Sequence, residues 1–155
     1  MINAPYSNQY QIVVTRTAVA ILMESVHDVR IVRLDGAAHP PPGVRPWMGD
    51  SIGRWDGETL VVETTNFNPG DALKIPTDLY ISKDARVVER FTRSGPGTLS
   101  YEFTVDDPAT YTRPWRAQMV FQRSKGPIFE YACHEGNYSL PGILAGARRE
   151  EATAR

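Results

Sequence analysis

The 155-residue sequence predicts an all-β protein: an antiparallel up-and-down β-barrel of about eight strands, followed by a short C-terminal helix. Three observations carry this. Most apolar segments alternate with period two, the spacing of side chains along a strand. They are separated at short intervals by Asp, Gly and Pro, the residues that turn a chain. Helical composition is confined to the tail.

The first three strands are expected at Tyr10 to Arg16, Val19 to Ser25 and Val29 to Leu34, the last closed by Asp35-Gly36. The stretch from His39 to Pro46 holds four prolines, so it suits neither a helix interior nor a central strand. Ile52 to Trp55 and Glu58 to Thr64 flank Asp56-Gly57. Asp-Gly between two strand-like runs predicts a two-residue hairpin, because both residues tolerate positive φ. Asn66 to Asp78, with two prolines and a glycine, reads as a loop.

Ala85 to Arg93 and Thr98 to Val105 flank Ser94-Gly95-Pro96-Gly97, a hairpin with a longer turn. Leu99, Tyr101, Phe103 and Val105 share one face and Thr98, Ser100, Glu102 and Thr104 the other, the pattern of a half-buried antiparallel strand. Trp115 to Arg123 and Ile128 to His134 complete the set, and Ile143 to Ala152 is the expected helix. So many antiparallel strands remove their exposed edges best by closing into a barrel, with a two-sheet sandwich as the alternative. The length fits a single domain over 1–155.

Seventeen basic residues against 18 acidic ones leave a net charge of -1. That balance argues against a dedicated nucleic-acid binder, and no apolar run is long enough to span a membrane. Cys133 is the sole cysteine, which excludes an internal disulfide and a thiolate zinc cage. The first five residues, Met1-Ile2-Asn3-Ala4-Pro5, lack the basic and apolar regions of a signal peptide.

Three stretches carry a resemblance: Gly53 to Thr64 (GRWDGETLVVET), Glu102 to Pro108 (EFTVDDP) and Tyr131 to Tyr138 (YACHEGNY). Together they resemble a large family of uncharacterised bacterial proteins, often predicted to be exported. The resemblance runs from about Tyr10 to Glu151. It implies export to the periplasm or medium, and it implies no activity. The Gly53-x-Trp55-x-Gly57 pattern is also similar to that of lipocalin-like barrels.

Candidate chemistry centres on strand ends, which form the mouths of a barrel. His27-Asp28 lies at the junction of two expected strands and His134-Glu135 at the end of another. An imidazole beside a carboxylate suits general acid–base catalysis. His27, Asp28, His134 and Glu135 are therefore the candidate catalytic residues, although a merely solvated rim would look the same. Glu130 and Tyr131 on the last strand, with Trp47 and Trp115 near turns, are the candidate ligand-binding residues; aromatic faces stack on sugar or aromatic rings. Trp47 and Trp115 could equally plug the barrel ends, and Trp55 is expected to do so. Glu58, Glu63, Glu89, Glu102 and Glu130 all lie in expected strands and could supply a carboxylate pair for glycoside hydrolysis.

His39, before three prolines, is expected to be an exposed loop residue. Cys133 shares a face with Phe129 and Tyr131 and reads as a buried hydrophobe rather than a nucleophile. His-x-His, His-Glu-x-x-His, Walker and dinucleotide-glycine patterns are all missing from the sequence, so neither a metal nor a cofactor is expected. A site assembled across strands from His27, His134 and Glu135 stays open as a metal alternative. The expected function is a cofactor-independent hydrolase or lyase acting on a small sugar-like or aromatic molecule held in the barrel. A lipocalin-like carrier without chemistry, or an interaction module of a longer exported protein, are the alternatives. A cavity ringed by titratable side chains would favour the enzyme, an apolar cavity the carrier, and a solid interior the module.

Overall fold

The computed structural model describes residues 8–69, 80–132 and 135–153. Period-two alternation becomes one eight-stranded sheet whose strand order follows the sequence. The strands are β1 (Tyr10–Val14), β2 (Ala18–Met23), β3 (Val29–Arg33), β4 (Asp50–Asp56), β5 (Thr59–Thr65), β6 (Arg86–Gly95), β7 (Thr98–Asp106) and β8 (Trp115–Gln122), followed by helix α1 (Ser139–Thr153). The sheet curls into a half-barrel. Among the described residues no backbone ladder joins β1 to β8. Side chains bridge that seam instead: Tyr10 stacks on Phe121 at 5.4 Å, and Ser124 Oγ donates to Gln9 Oε1 at 2.7 Å.

Every neighbouring pair is antiparallel except β3 and β4, which run parallel through Val32–Ser51 and Arg33–Ile52. A meander of hairpins would have made this pair antiparallel too. The proline-rich connection over 34–49 is long enough to carry the chain back before β4 begins, as a parallel neighbour requires.

The Asp-Gly hairpin forms, one residue later than expected. Asp56 pairs with Thr59, so the two loop residues are Gly57 and Glu58. Gly57 takes φ +59°, while Glu58 keeps negative φ, the arrangement that needs glycine only at the first loop position. In the second hairpin Gly95 pairs with Thr98, and a bulge between Arg93 and Gly95 absorbs the extra residue of the longer turn.

The concave face carries the core: Val19, Ile21, Val32, Leu60, Val62, Val87, Phe91, Tyr101, Phe103 and Val105 are all buried. The alternation seen in 98–105 points inward as expected, with Tyr101, Phe103 and Val105 buried and their neighbours less so. Tyr101 stacks on Phe103 and on Phe121 at 5.5 and 5.3 Å and meets Phe91 at 4.8 Å. Gly53 on β4 is required by this packing: a Cβ there would lie 2.7 Å from Val32 Cγ1 and 2.9 Å from Leu34 Cδ2.

The expected ninth strand does not form. Residues 128–132 have no regular structure, and Cys133 and His134 lie outside the described residues. The segment is held by a side chain instead: Phe129 N donates to Glu24 Oε1 at 3.3 Å. Helix α1 begins four residues before the expected Ile143 and buries none of its residues.

Candidate functional site

The interior holds charge as well as hydrocarbon. Arg30 on β3 forms a two-pronged pair with Glu89 on β6, with NH1–Oε2 2.6 Å and NH2–Oε1 3.0 Å. Tyr101 on β7 donates its hydroxyl to Glu89 Oε1 at 2.7 Å. Glu89 is fully buried. Burial by itself would raise its pKa, but the Arg30 charge and the hydrogen bonds from Arg30 and Tyr101 outweigh it and hold it at about 2. Burial, and then the Glu89 carboxylate, push the Tyr101 hydroxyl far above the usual tyrosine range. The cluster is therefore fixed as ion pair plus neutral phenol, a structural role. Glu89 shares the period-two phase of Val87 and Phe91 and so points inward with them; nothing in the local sequence names Arg30 as its partner.

Three of the five glutamates expected in strands are ion-paired. Glu89 is committed to Arg30, Glu63 to Arg86 and Glu102 to Arg116, each on a separate arginine.

A second cluster lies on the convex face and corrects the reading of His39. His39 Nδ1 is 2.6 Å from Asp50 Oδ2, and Arg33 NH2 bonds both Asp50 oxygens at 3.0 and 3.3 Å. His39 Nε2 faces Glu63 Oε1 at 3.5 Å. Far from being exposed, His39 staples the proline-rich connection to β4 and β5. Its side chain is only 18% exposed, and its Nε2 is buried without a hydrogen bond. The proline run hid this: the local sequence shows a loop, and only the crossover brings His39 over Asp50.

The tryptophans divide differently from the expectation. Trp55 is 51% exposed and is not core, because its face of the sheet end is left uncovered. Trp115 packs edge-on against Phe103 and Tyr111 at 5.4 and 5.7 Å and belongs to the core rim. Trp47 is 58% exposed. Neither Trp47 nor Trp115 lines a cavity described here.

Two open clefts flank the β1–β8 seam, and the candidate residues meet in the first. This cleft, of about 690 Å³, is lined by Gln9, Tyr10, Gln11 and Leu22 on one side and by Ser124 with the 126–131 segment on the other, with His27 at its end. His27, Glu130 and Tyr131 thus share one cleft. Local geometry explains how. The 3₁₀ turn Ser25–His27 joins β2 to β3, with Val26 and His27 at φ +63° and +59°, and Glu24 at its base grips Phe129. That contact helps to bring the 126–131 segment beside the turn bearing His27. Asp28 adjoins His27 and Glu135 is exposed, but neither lines the cleft. Gln9 and Ser124, which bridge the seam beside it, were not singled out by the sequence because neither lies in a motif.

The second cleft, of about 650 Å³, continues past Tyr10 toward the β6–β7 turn and shares Gln9, Tyr10 and Ser124 with the first. Among the described residues no group of three or more His, Cys, Asp or Glu side chains is placed to hold a metal ion. Among the described residues no helix is long and apolar enough to cross a membrane. Comparison with known proteins finds no matching family model, no similar curated protein and no similar solved structure.

Proposed function

We propose that the protein binds a small sugar-like or aromatic molecule in the first seam cleft, and that His27 and Glu130 perform cofactor-independent acid–base chemistry on it, by hydrolysis or elimination. The observation that carries this reading is the meeting of His27, Glu130 and Tyr131 in one cleft, from residues about a hundred positions apart. A volume of about 690 Å³ suits a small ligand. An imidazole and a carboxylate in one cleft are the acid–base pair that either reaction needs. Tyr10 and Tyr131 offer ring faces and hydroxyls for orientation, and Gln9 and Gln11 offer amides.

A second reading, a lipocalin-like carrier without chemistry, is favoured by the apolar part of the wall: Leu22, Pro127, Ile128 and Phe129. A panel of chromogenic esters, glycosides and phosphoesters separates the two. The enzyme reading expects turnover of at least one class, lost in His27→Ala and Glu130→Gln with the melting temperature unchanged. His134→Ala tests the second imidazole of the sequence analysis in the same assay. Saturable binding without turnover of any compound decides for the carrier. Turnover unaffected by either cleft substitution overturns the placement of the chemistry.

A further inference from the structure

We infer that the second seam cleft is an anion site, and that the ligand of this protein is an aromatic or sugar-like molecule bearing a carboxylate or phosphate. The inference rests on the reading of the first cleft as a ligand site and adds the ligand's charge.

Its basis is the row of residues crossing the sheet beside the β6–β7 turn. Arg93 on β6 pairs with Leu99 on β7, and Leu99 with Phe121 on β8. Paired residues project to the same face, so Arg93 stands on the concave side beside Leu99 and Phe121. Arg123 lies two residues beyond Phe121, on the same phase, and its backbone N–H donates to Gly97 O at 2.8 Å. Gly97 and Arg123 lie side by side: a Cβ built on Gly97 would stand in ordinary contact with Arg123 Cβ, at 3.5 Å. Tyr10, stacked on Phe121, completes an aromatic floor for this cleft and itself also lines the first.

Both arginines line the cleft, and no Asp or Glu does. Arg93 Nε donates to Gly95 O at 3.3 Å, which leaves the two terminal nitrogens of its fork available. Neither arginine pairs with a carboxylate among the described residues, whereas Arg30, Arg33, Arg45, Arg86, Arg90 and Arg116 all do. Two guanidiniums without a carboxylate partner among the described residues, at the rim of an aromatic floor on a chain of net charge -1, form a local positive site of the kind that takes a planar carboxylate or a phosphate oxygen pair. An aryl or glycosyl group would then lie along Tyr10 toward His27.

Calorimetric titration tests this with phenylacetate, phenyl phosphate, inorganic phosphate and the neutral 2-phenylethanol. The aryl anions are expected to bind roughly tenfold more tightly than 2-phenylethanol at low ionic strength, the scale of two partly exposed ion pairs. The preference should shrink in high salt and vanish in the Arg93→Gln/Arg123→Gln variant with the fold intact. The stronger of the two aryl anions identifies the ligand's anionic group, and weak binding of inorganic phosphate shows that the ring is needed. Equal affinity for anion and alcohol, or a preference that survives the double substitution, overturns the anion site while leaving the first cleft standing. An arginine-dependent anion preference that His27→Ala and Glu130→Gln leave untouched, with no turnover, supports the anion site and overturns the chemistry proposed for the first cleft. Absence of binding by every probe overturns both.

Discussion

Arg30 and Glu89, 59 residues apart in the chain, form a two-pronged ion pair inside the curl of the sheet at 2.6 and 3.0 Å. The pair links β3 to β6, two strands that are not neighbours in the sheet, so it ties the two sides of the half-barrel across the concave face. Tyr101 satisfies the carboxylate further. A buried pair of this kind gains little over a hydrophobic replacement, but breaking it strands a charge.

Glu89→Gln is accordingly expected to destabilise the fold by about 3–5 kcal/mol, because Arg30 is left buried without its counter-charge. Adding Arg30→Met should recover a large part of the loss. Urea denaturation of the two single variants and the double variant measures the coupling; additive losses would contradict the pairing.

The acid limb of stability follows from the same carboxylate. Glu89 has a folded pKa of about 2, below the unfolded value of about 4.3. Its folded state therefore binds fewer protons than its unfolded state over this range. The contribution is complete above the unfolded value and is lost as pH falls from about 5 toward 2. Its size is on the order of 3 kcal/mol at neutral pH. Melting temperatures recorded between pH 6 and pH 2 should fall steeply in the wild type and less steeply in Glu89→Gln.

Gly53→Ala probes the contact of β4 with β3. The added methyl meets Val32 Cγ1 at 2.7 Å and Leu34 Cδ2 at 2.9 Å, and the expected cost is about 1–3 kcal/mol from overpacking. Gly126→Ala, where the space is open, serves as the control. Similar denaturation midpoints for the two would contradict the close approach.

The tryptophans give a contrast in stability. Trp115→Ala removes the edge contacts to Phe103 and Tyr111 and should cost about 3 kcal/mol, toward the low end of an aromatic truncation because the ring is only partly buried. Trp47→Ala and Trp55→Ala remove exposed rings and should lie within about 0.5 kcal/mol of the wild type. Thermal denaturation ranks the three.

Much of the fold was legible because strand signals are local. Eight of the nine expected segments became strands, since alternation and turn residues act within a few positions of one another. The ninth, at 128–132, has strand-like composition but joins neither sheet edge among the described residues; Glu24 takes the Phe129 amide. The Asp-Gly hairpin moved by one residue because both loop frames satisfy the same dipeptide, and pairing across the strands chose between them. His27, Glu130 and Tyr131 were named from local chemistry, but their common cleft was invisible, as were the burial of His39 and the pair Arg93 and Arg123.

The sequence by itself determined the strands, the phase of their side chains and the terminal helix, because backbone geometry couples neighbours at fixed periods. Tertiary structure decided which rows come together: Arg30 with Glu89, His39 with Asp50, and His27 and Glu130 on one cleft. Those meetings depend on the curl of the sheet and on the parallel crossover before β4, which sum small twists and long connections over dozens of residues that no short pattern records.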